Sequence, residues 1–183
     1  ESDCEQVRQW FLNFLSEQED NGSQLRFICR YLKAWRDYHW EKGGGPSSIL
    51  LMVIACQNYN FFEGRDDLAL LNILHALPNR LKESVFENAI PDHEKEDFNR
   101  IKPENRMYCS NKATQFFNLI QDGLSTTEKK YCLSSHIDAF GTRYPNNEDY
   151  VITSKQPFSE EDTFKQTLTS SQTAKVLPSV TSG

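Results

Sequence analysis

The sequence predicts an all-α helical bundle, and three observations carry that expectation. Apolar residues recur at helical spacing in successive segments, cap and turn residues fall between those segments, and period-two alternation is missing outside one short candidate strand, "DYVIT" at 149–153. At 183 residues the chain is long enough for one domain with a proper core, since a domain of that size buries roughly 70% of the surface its unfolded chain exposes.

The elements follow in order. Val7, Trp10, Phe11, Phe14 and Leu15 mark a first amphipathic helix over residues 5–17. After the turn residues "QEDNGS", Leu25, Ile28, Cys29, Leu32, Trp35 and His39 repeat the stripe on a second helix that ends near Trp40, at the glycines. Pro46 suits the first turn of a third helix, where its missing N–H is no loss, and Ser47 or Ser48 can satisfy free amides there. That helix, over 46–62, is apolar on nearly all sides and reads as the buried centre. Asp66 or Asp67 caps a fourth helix, which Leu77 and Pro78 punctuate before a short amphipathic piece reaching Phe86. Residues 88–111 are charged, twice interrupted by proline and read as a long loop. Two helices follow: one carries Ala113, Phe116, Phe117 and Ile120 and stops at Gly123, the other starts with a capping box at Ser125 and Glu128 and stops at Gly141. The organisation is a helical body over 1–151 and a Ser/Thr-rich flexible tail over 152–183.

Composition narrows the function. With 26 acidic against 20 basic residues the net charge is −6, so no overall basic field favours nucleic acid or anionic lipid, and any phosphate recognition is local. The five cysteines are widely spaced and odd in number, which suits reduced thiols in a cytoplasmic protein. The longest apolar run, "ILLMVIAC" at 49–56, is far below the roughly 20 residues of a membrane-spanning helix. The chain begins at Glu1 without a methionine or a signal-like segment and reads as a piece of something longer.

The segment that asks for an explanation is "RYLKAWRDYHWEKGGGPSSILLM", residues 30–52. Arg26, Arg30 and Lys33, spaced by four and three, form a basic ridge beside the apolar stripe. Glycines permit close backbone approach, and a new helix offers free N–H groups and two hydroxyls, Ser47 and Ser48, as an anion site that Lys33 approaches if the helices are antiparallel. The competing reading is a solvated face followed by an ordinary turn. The four histidines, His39, His75, His93 and His136, lack partners at zinc spacing and read as structural. The acidic run at 92–100 reads as a solvated loop, and no base or oxyanion partner makes a nucleophile of Ser47.

"LRFICRYLKAWRDYHWEKGGGPSSILLM" at 25–52 resembles the C-terminal helical lobe of the bacterial cGAS/DncV-like nucleotidyltransferases, the cyclic dinucleotide synthases of CBASS antiphage defence, and is nearest their DncV branch. "VRQWF", "LHALP", "AFGTR" at 139–143 and the terminal "VTSG" resemble the same type in the same order, patchily between 89 and 138. The resemblance implies that Lys33 and Ser48, with Ser47 beside it, contact the donor triphosphate; the third glycine before Pro46 is a departure from the family loop. It also implies a base-contacting acid in the loop after "LP", with Asp92 to Asp97 all open. The family's catalytic Gly-Ser loop and Asp-x-Asp pair with a third carboxylate, which hold Mg2+, have no counterpart here. Catalysis is therefore expected to reside in a lobe outside this chain, which is inactive alone, and ATP and GTP are the expected nucleotides, joined as cyclic GMP-AMP. The free Gly183 implies a substrate for ubiquitin-like conjugation by an E1-E2 fusion protein. The reading of a different class is a non-catalytic helical domain binding a protein or RNA partner.

Overall fold

A computed structural model describes residues 3–20, 22–89 and 96–152. Six α-helices are found among them: α1 Asp3–Ser16, α2 Ser23–His39, α3 Ser48–Asn58, α4 Asp66–Arg80, α5 Pro103–Ser125 and α6 Lys129–Phe140. Two 3-10 turns, Gly141–Arg143 and Glu148–Tyr150, follow α6. A two-residue antiparallel ladder pairs β1 Phe86–Glu87 with β2 Glu96–Asp97, Phe86 opposite Asp97. The "DYVIT" segment is a 3-10 turn rather than a strand over its first two residues, because Asn147 Oδ1 accepts from the Asp149 N–H and turns the chain.

The core forms around α3, whose Leu50, Leu51, Val53, Ile54, Ala55 and Cys56 are all buried. α2 and α4 pack against it, and α5 lies along both α4 and α6. Trp35 on α2 stacks on Phe116 of α5, ring centroids 5.0 Å apart and nearly parallel, and meets Trp40 edge-on at the same distance. Aromatic pairs in these geometries add about 0.5–1.5 kcal/mol each beyond their area burial. At the other end, Gln24 is buried and fully used: its amide donates to Phe62 O and Asp66 Oδ1, and its oxygen accepts from the Phe62 N–H and the Tyr59 hydroxyl. That one side chain ties α2 to the α3–α4 connection.

Several boundaries differ from the sequence expectations. α3 begins at Ser48 and ends at Asn58, not at 46 and 62: Ser47 takes extended backbone angles as its N-cap, which leaves Pro46 outside the helix. Asp66 and Asp67 lie in the first turn of α4 and do not cap it; Arg65 holds the cap position. Pro78 sits inside α4, which runs on to Arg80, because only one N–H is lost there and the Leu81 N–H still reaches Leu77 O. The amphipathic piece expected before Phe86 is a turn leading into β1.

The loop expected to extend to Asn111 ends at Lys102, since Pro103 opens α5 as its first residue. α5 also passes Gly123, where a Cβ would stand 3.0 Å from His136 Cε1; the glycine makes room for α6 rather than ending α5. The Ser125/Glu128 capping box does not form: Thr126 Oγ1 accepts from the Glu128 N–H and α6 starts at Lys129. Gly141, at φ 70°, does end α6. Val151 is buried whereas Ile152 is 95% exposed; residues 153–183, including Gly183, lie outside the described part.

Candidate functional site

The pitch of α2 gathers the charges of the site. At about 100° per residue, Lys33, Arg36 and Asp37 fall on one side of the helix while Trp35 points the opposite way into the core. Lys33 Nζ donates to Asp37 Oδ2 at 2.7 Å and Arg36 Nη1 to Oδ1 at 2.9 Å. Arg143, 106 residues away in sequence, approaches the same Oδ2 at 3.5 Å from the turn after α6. Donation from Lys33 and then from Arg36 holds the Asp37 carboxyl down to about 2. Three positive charges thus surround one negative charge, a local excess of cation on a chain whose net charge is −6.

Arg36 joins this cluster to the next helix, because its Nε also donates to Pro46 O at 3.2 Å. The Ser47 hydroxyl accepts from the Leu50 N–H at 3.1 Å and so is occupied in capping α3. Ser48, the first helical residue, is exposed, and its hydroxyl has no partner among the described residues. The first N–H groups of a helix have no acceptor within it, and with the helix dipole they favour an anion. The approach is shaped by the glycines: Gly43 and Gly44 have φ of 84° and 85°, angles that residues with a Cβ avoid. Gly45 is small for a different reason, as a Cβ there would stand 2.4 Å from Cγ of the Trp40 indole.

Lys33 on α2 and Ser47 and Ser48 at the start of α3 are all exposed, and a hydrogen bond from Arg36 links the two segments. The contact between α2 and the serine loop is made by Arg36, one turn beyond Lys33, and Lys33 is directed to Asp37. Asp37 and Arg143 carry no role in the sequence reading. The spacing of Lys33 and Asp37, an i,i+4 pair of opposite charge, was a visible signal; nothing local announces Arg143. Arg26 and Arg30 are exposed on α2, with the Arg30 guanidinium 5.5 Å from the Phe27 ring centre.

Of the candidate base-contacting acids, those at 92–95 lie outside the described residues. Glu96 pairs with Arg100. Asp97 Oδ1 accepts from the Val85 and Asn99 N–H groups at 2.8 and 2.9 Å, so it holds the β1 turn in shape. Burial pushes its carboxyl up, but those N–H donors with Ser84 and Arg106 leave it below the ordinary carboxylate value.

Among the described residues no three His, Cys, Asp or Glu side chains group as a metal site. Asp66 accepts from Gln24 and Tyr31, and Asp67 takes two hydrogen bonds from Arg65, so this pair does not fit Mg2+ and no step runs through a metal here. His39 and His75 pack against aromatic rings, His136 bonds Cys132 O at 2.8 Å, and His93 lies outside the described residues. Cys29, Cys56, Cys109 and Cys132 are unpaired thiols, and burial pushes Cys29 up to about 12. No helix among the described residues is long and apolar enough to cross a membrane.

Residues 22–153, which contain the whole cluster and the glycine loop, match the sequence family described as "Cyclic GMP-AMP synthase, C-terminal domain". The chain belongs to this family. A curated relative, the cyclic GMP-AMP synthase of Vibrio cholerae, is 29% identical over 147 residues, which is 76% of this chain and 33% of the relative. The chain thus spans about a third of that relative's length. Among solved structures, V. cholerae DncV (mutant D193N) in complex with ATP, GTP and 5MTHFGLU2 superposes with a TM-score of 0.69 at 26% identity, covering 84% of this chain and 40% of that one. Escherichia coli DncV in its 3'-deoxy GTP bound form gives 0.68 at 25% identity, covering 84% and 41%. The family's C-terminal domain is therefore the helical body described above, with the Lys33 to Ser48 surface carried by α2 and α3.

Proposed function

We propose that this chain is the nucleotide-clamping lobe of a cyclic dinucleotide synthase that makes cyclic GMP-AMP from ATP and GTP, and that the Lys33–Ser48 surface holds the donor triphosphate. The observation that carries the reading is the cationic cluster of Lys33, Arg36 and Arg143 tied through Pro46 O to the open N-terminus of α3. Each part contributes a distinct term. The Ser48 hydroxyl and the first N–H groups of α3 donate to phosphate oxygens with fixed directions. Lys33 supplies a compact mobile charge and Arg143 a broader one. Ser47 keeps the helix start in shape by capping it. Holding the polyphosphate tail at several points orients the α-phosphate towards an attacking ribose hydroxyl, and restricting that geometry lowers the entropic part of the barrier.

The carboxylates that would hold Mg2+ belong, in this proposal, to a catalytic lobe outside the chain, so the chain alone makes no product. In the full-length protein the lobe acts in the cytoplasm in CBASS antiphage defence. Its Ser/Thr-rich tail, which contains Gly183, is offered to an E1-E2 fusion protein for ubiquitin-like conjugation.

The test uses the full-length protein with labelled ATP, GTP and Mg2+. Lys33→Ala and Ser48→Ala are expected to raise the nucleotide KM or reduce turnover while the protein stays folded. Wild-type synthesis by both variants would show that the surface is only a turn between helices. In that case steep salt-dependent binding of single-stranded RNA would favour the interaction-domain reading.

A further inference from the structure

We propose that Asp37 is a positioning residue for the triphosphate, holding Lys33, Arg36 and Arg143 together beside the start of α3. The inference rests on the triphosphate reading above and adds to it a residue whose charge has the wrong sign for an anion site.

The layering is what makes a carboxylate useful there. The Asp37 side chain is 21% exposed, against 57% for Lys33 and 66% for Arg143. The acid lies beneath and the cations lie outside it, so an anion arriving from solvent meets the cations first. Without Asp37, three like charges drawn from two separate segments would repel one another and spread into solvent. Both carboxylate oxygens are used: Oδ1 orients the Arg36 guanidinium, and Oδ2 takes Lys33 and Arg143. Arg36 fixed in that plane still reaches Pro46 O with its Nε, so the position of the loop before Ser47 and Ser48 is set through Asp37.

Arg143 arrives by an equally constrained route. Gly141 at φ 70° lets the chain turn against Tyr38, the neighbour of Asp37, where a Cβ would stand 2.5 Å from the Tyr38 ring. The turn after α6 is thereby pressed onto the outer face of α2 at the level of the cluster. Two segments 106 residues apart in sequence share this acceptor.

The sign of one measurement separates positioning from simple electrostatics. Binding of inorganic tripolyphosphate and of inorganic phosphate to this 183-residue chain is measured by calorimetry at constant ionic strength. If charge alone matters, Asp37→Asn removes a repulsive neighbour and tightens tripolyphosphate binding about threefold, as Coulomb's law gives for one unit charge some ~6 Å away in water. If Asp37 positions the cations, Asp37→Asn binds about tenfold more weakly, the lower end of what loss of an outer partner does to a ligating group. The preference for tripolyphosphate over phosphate falls with it, and Asp37→Glu restores part of both.

Arg143→Gln, at an exposed position, is expected to weaken tripolyphosphate binding without lowering the melting temperature, and keeps the test usable if Asp37→Asn unfolds. Tighter binding by Asp37→Asn, or an unchanged preference, overturns the proposal. The underlying reading fails separately: a wild-type chain that does not prefer tripolyphosphate, or Lys33→Ala binding as wild type does, removes the clamp itself and this inference with it.

Discussion

Replacing Gly45 with alanine tests the account of the glycine loop at its tightest point. The added Cβ would lie 2.4, 2.5 and 2.8 Å from three atoms of the Trp40 indole, distances at which something must move. Trp40 is buried and meets Trp35 edge-on at 5.0 Å, so its ring has little freedom to retreat. Overpacking of this kind costs about 1–3 kcal/mol, and weakening the Trp35–Trp40 contact adds up to about 1 kcal/mol. The stiffer unfolded chain returns about 0.4–1 kcal/mol. The net loss is about 2 kcal/mol, which for a domain of this size lowers Tm by about 4–8 °C.

Thermal unfolding followed by near-UV circular dichroism reads both stability and the indole environment. Gly43→Ala is the companion variant: a Cβ there meets nothing within 4 Å, yet φ is 84°. It should cost about 1–2 kcal/mol through backbone strain alone and leave the tryptophan signal unchanged. A Gly45→Ala protein that melts with the wild type and keeps its tryptophan spectrum would refute the steric argument.

Three further outcomes are expected. Ser47→Ala should lower stability by about 1 kcal/mol through loss of the α3 cap, whereas Ser48→Ala should leave Tm unchanged and weaken tripolyphosphate binding; calorimetry and melting of the two variants side by side check the division. Asp97→Ala should cost about 1–3 kcal/mol per buried N–H left unpaired, at Val85 and Asn99, read from the urea midpoint. Burial, with Lys112 nearby, holds His39 below its ordinary value. The unfolded chain therefore binds the extra proton first, so stability present above about pH 6.5 declines as pH falls towards the folded-state value, with a slope of at most about 1.4 kcal/mol per pH unit. Urea midpoints across that window should show the decline, and His39→Gln should flatten it.

The helices were legible where periodicity and burial agree, as in α2, whose stripe from Leu25 to Trp35 is buried in the structure. Proline was the main source of error, because its meaning depends on position: Pro46 precedes a cap, Pro78 sits in a last turn and Pro103 starts a helix. Gly123 misled for a related reason, since its small size serves the α5–α6 crossing and not a helix end. The start of α3 just after the glycines could be read from "GGGPSS", which is local chemistry. The Asp37–Arg143 link could not, since it depends on how two helices are brought together by packing over 106 residues.

α3 has one further consequence. Its middle, from Leu50 to Cys56 with only Met52 half-buried, is a rod held by the core, and at its N-terminal tip Ser48 and Ile49 reach solvent. A ligand resting on that tip presses on something that does not wander, and so loses little of its binding energy to ordering the protein. The linkage also runs backwards: whatever occupies the tip favours the folded state of everything wrapped around the rod. Occupancy should therefore be readable far from the ligand, as slower hydrogen exchange at the buried amides of Val53, Ile54 and Ala55, well before any turnover is measured.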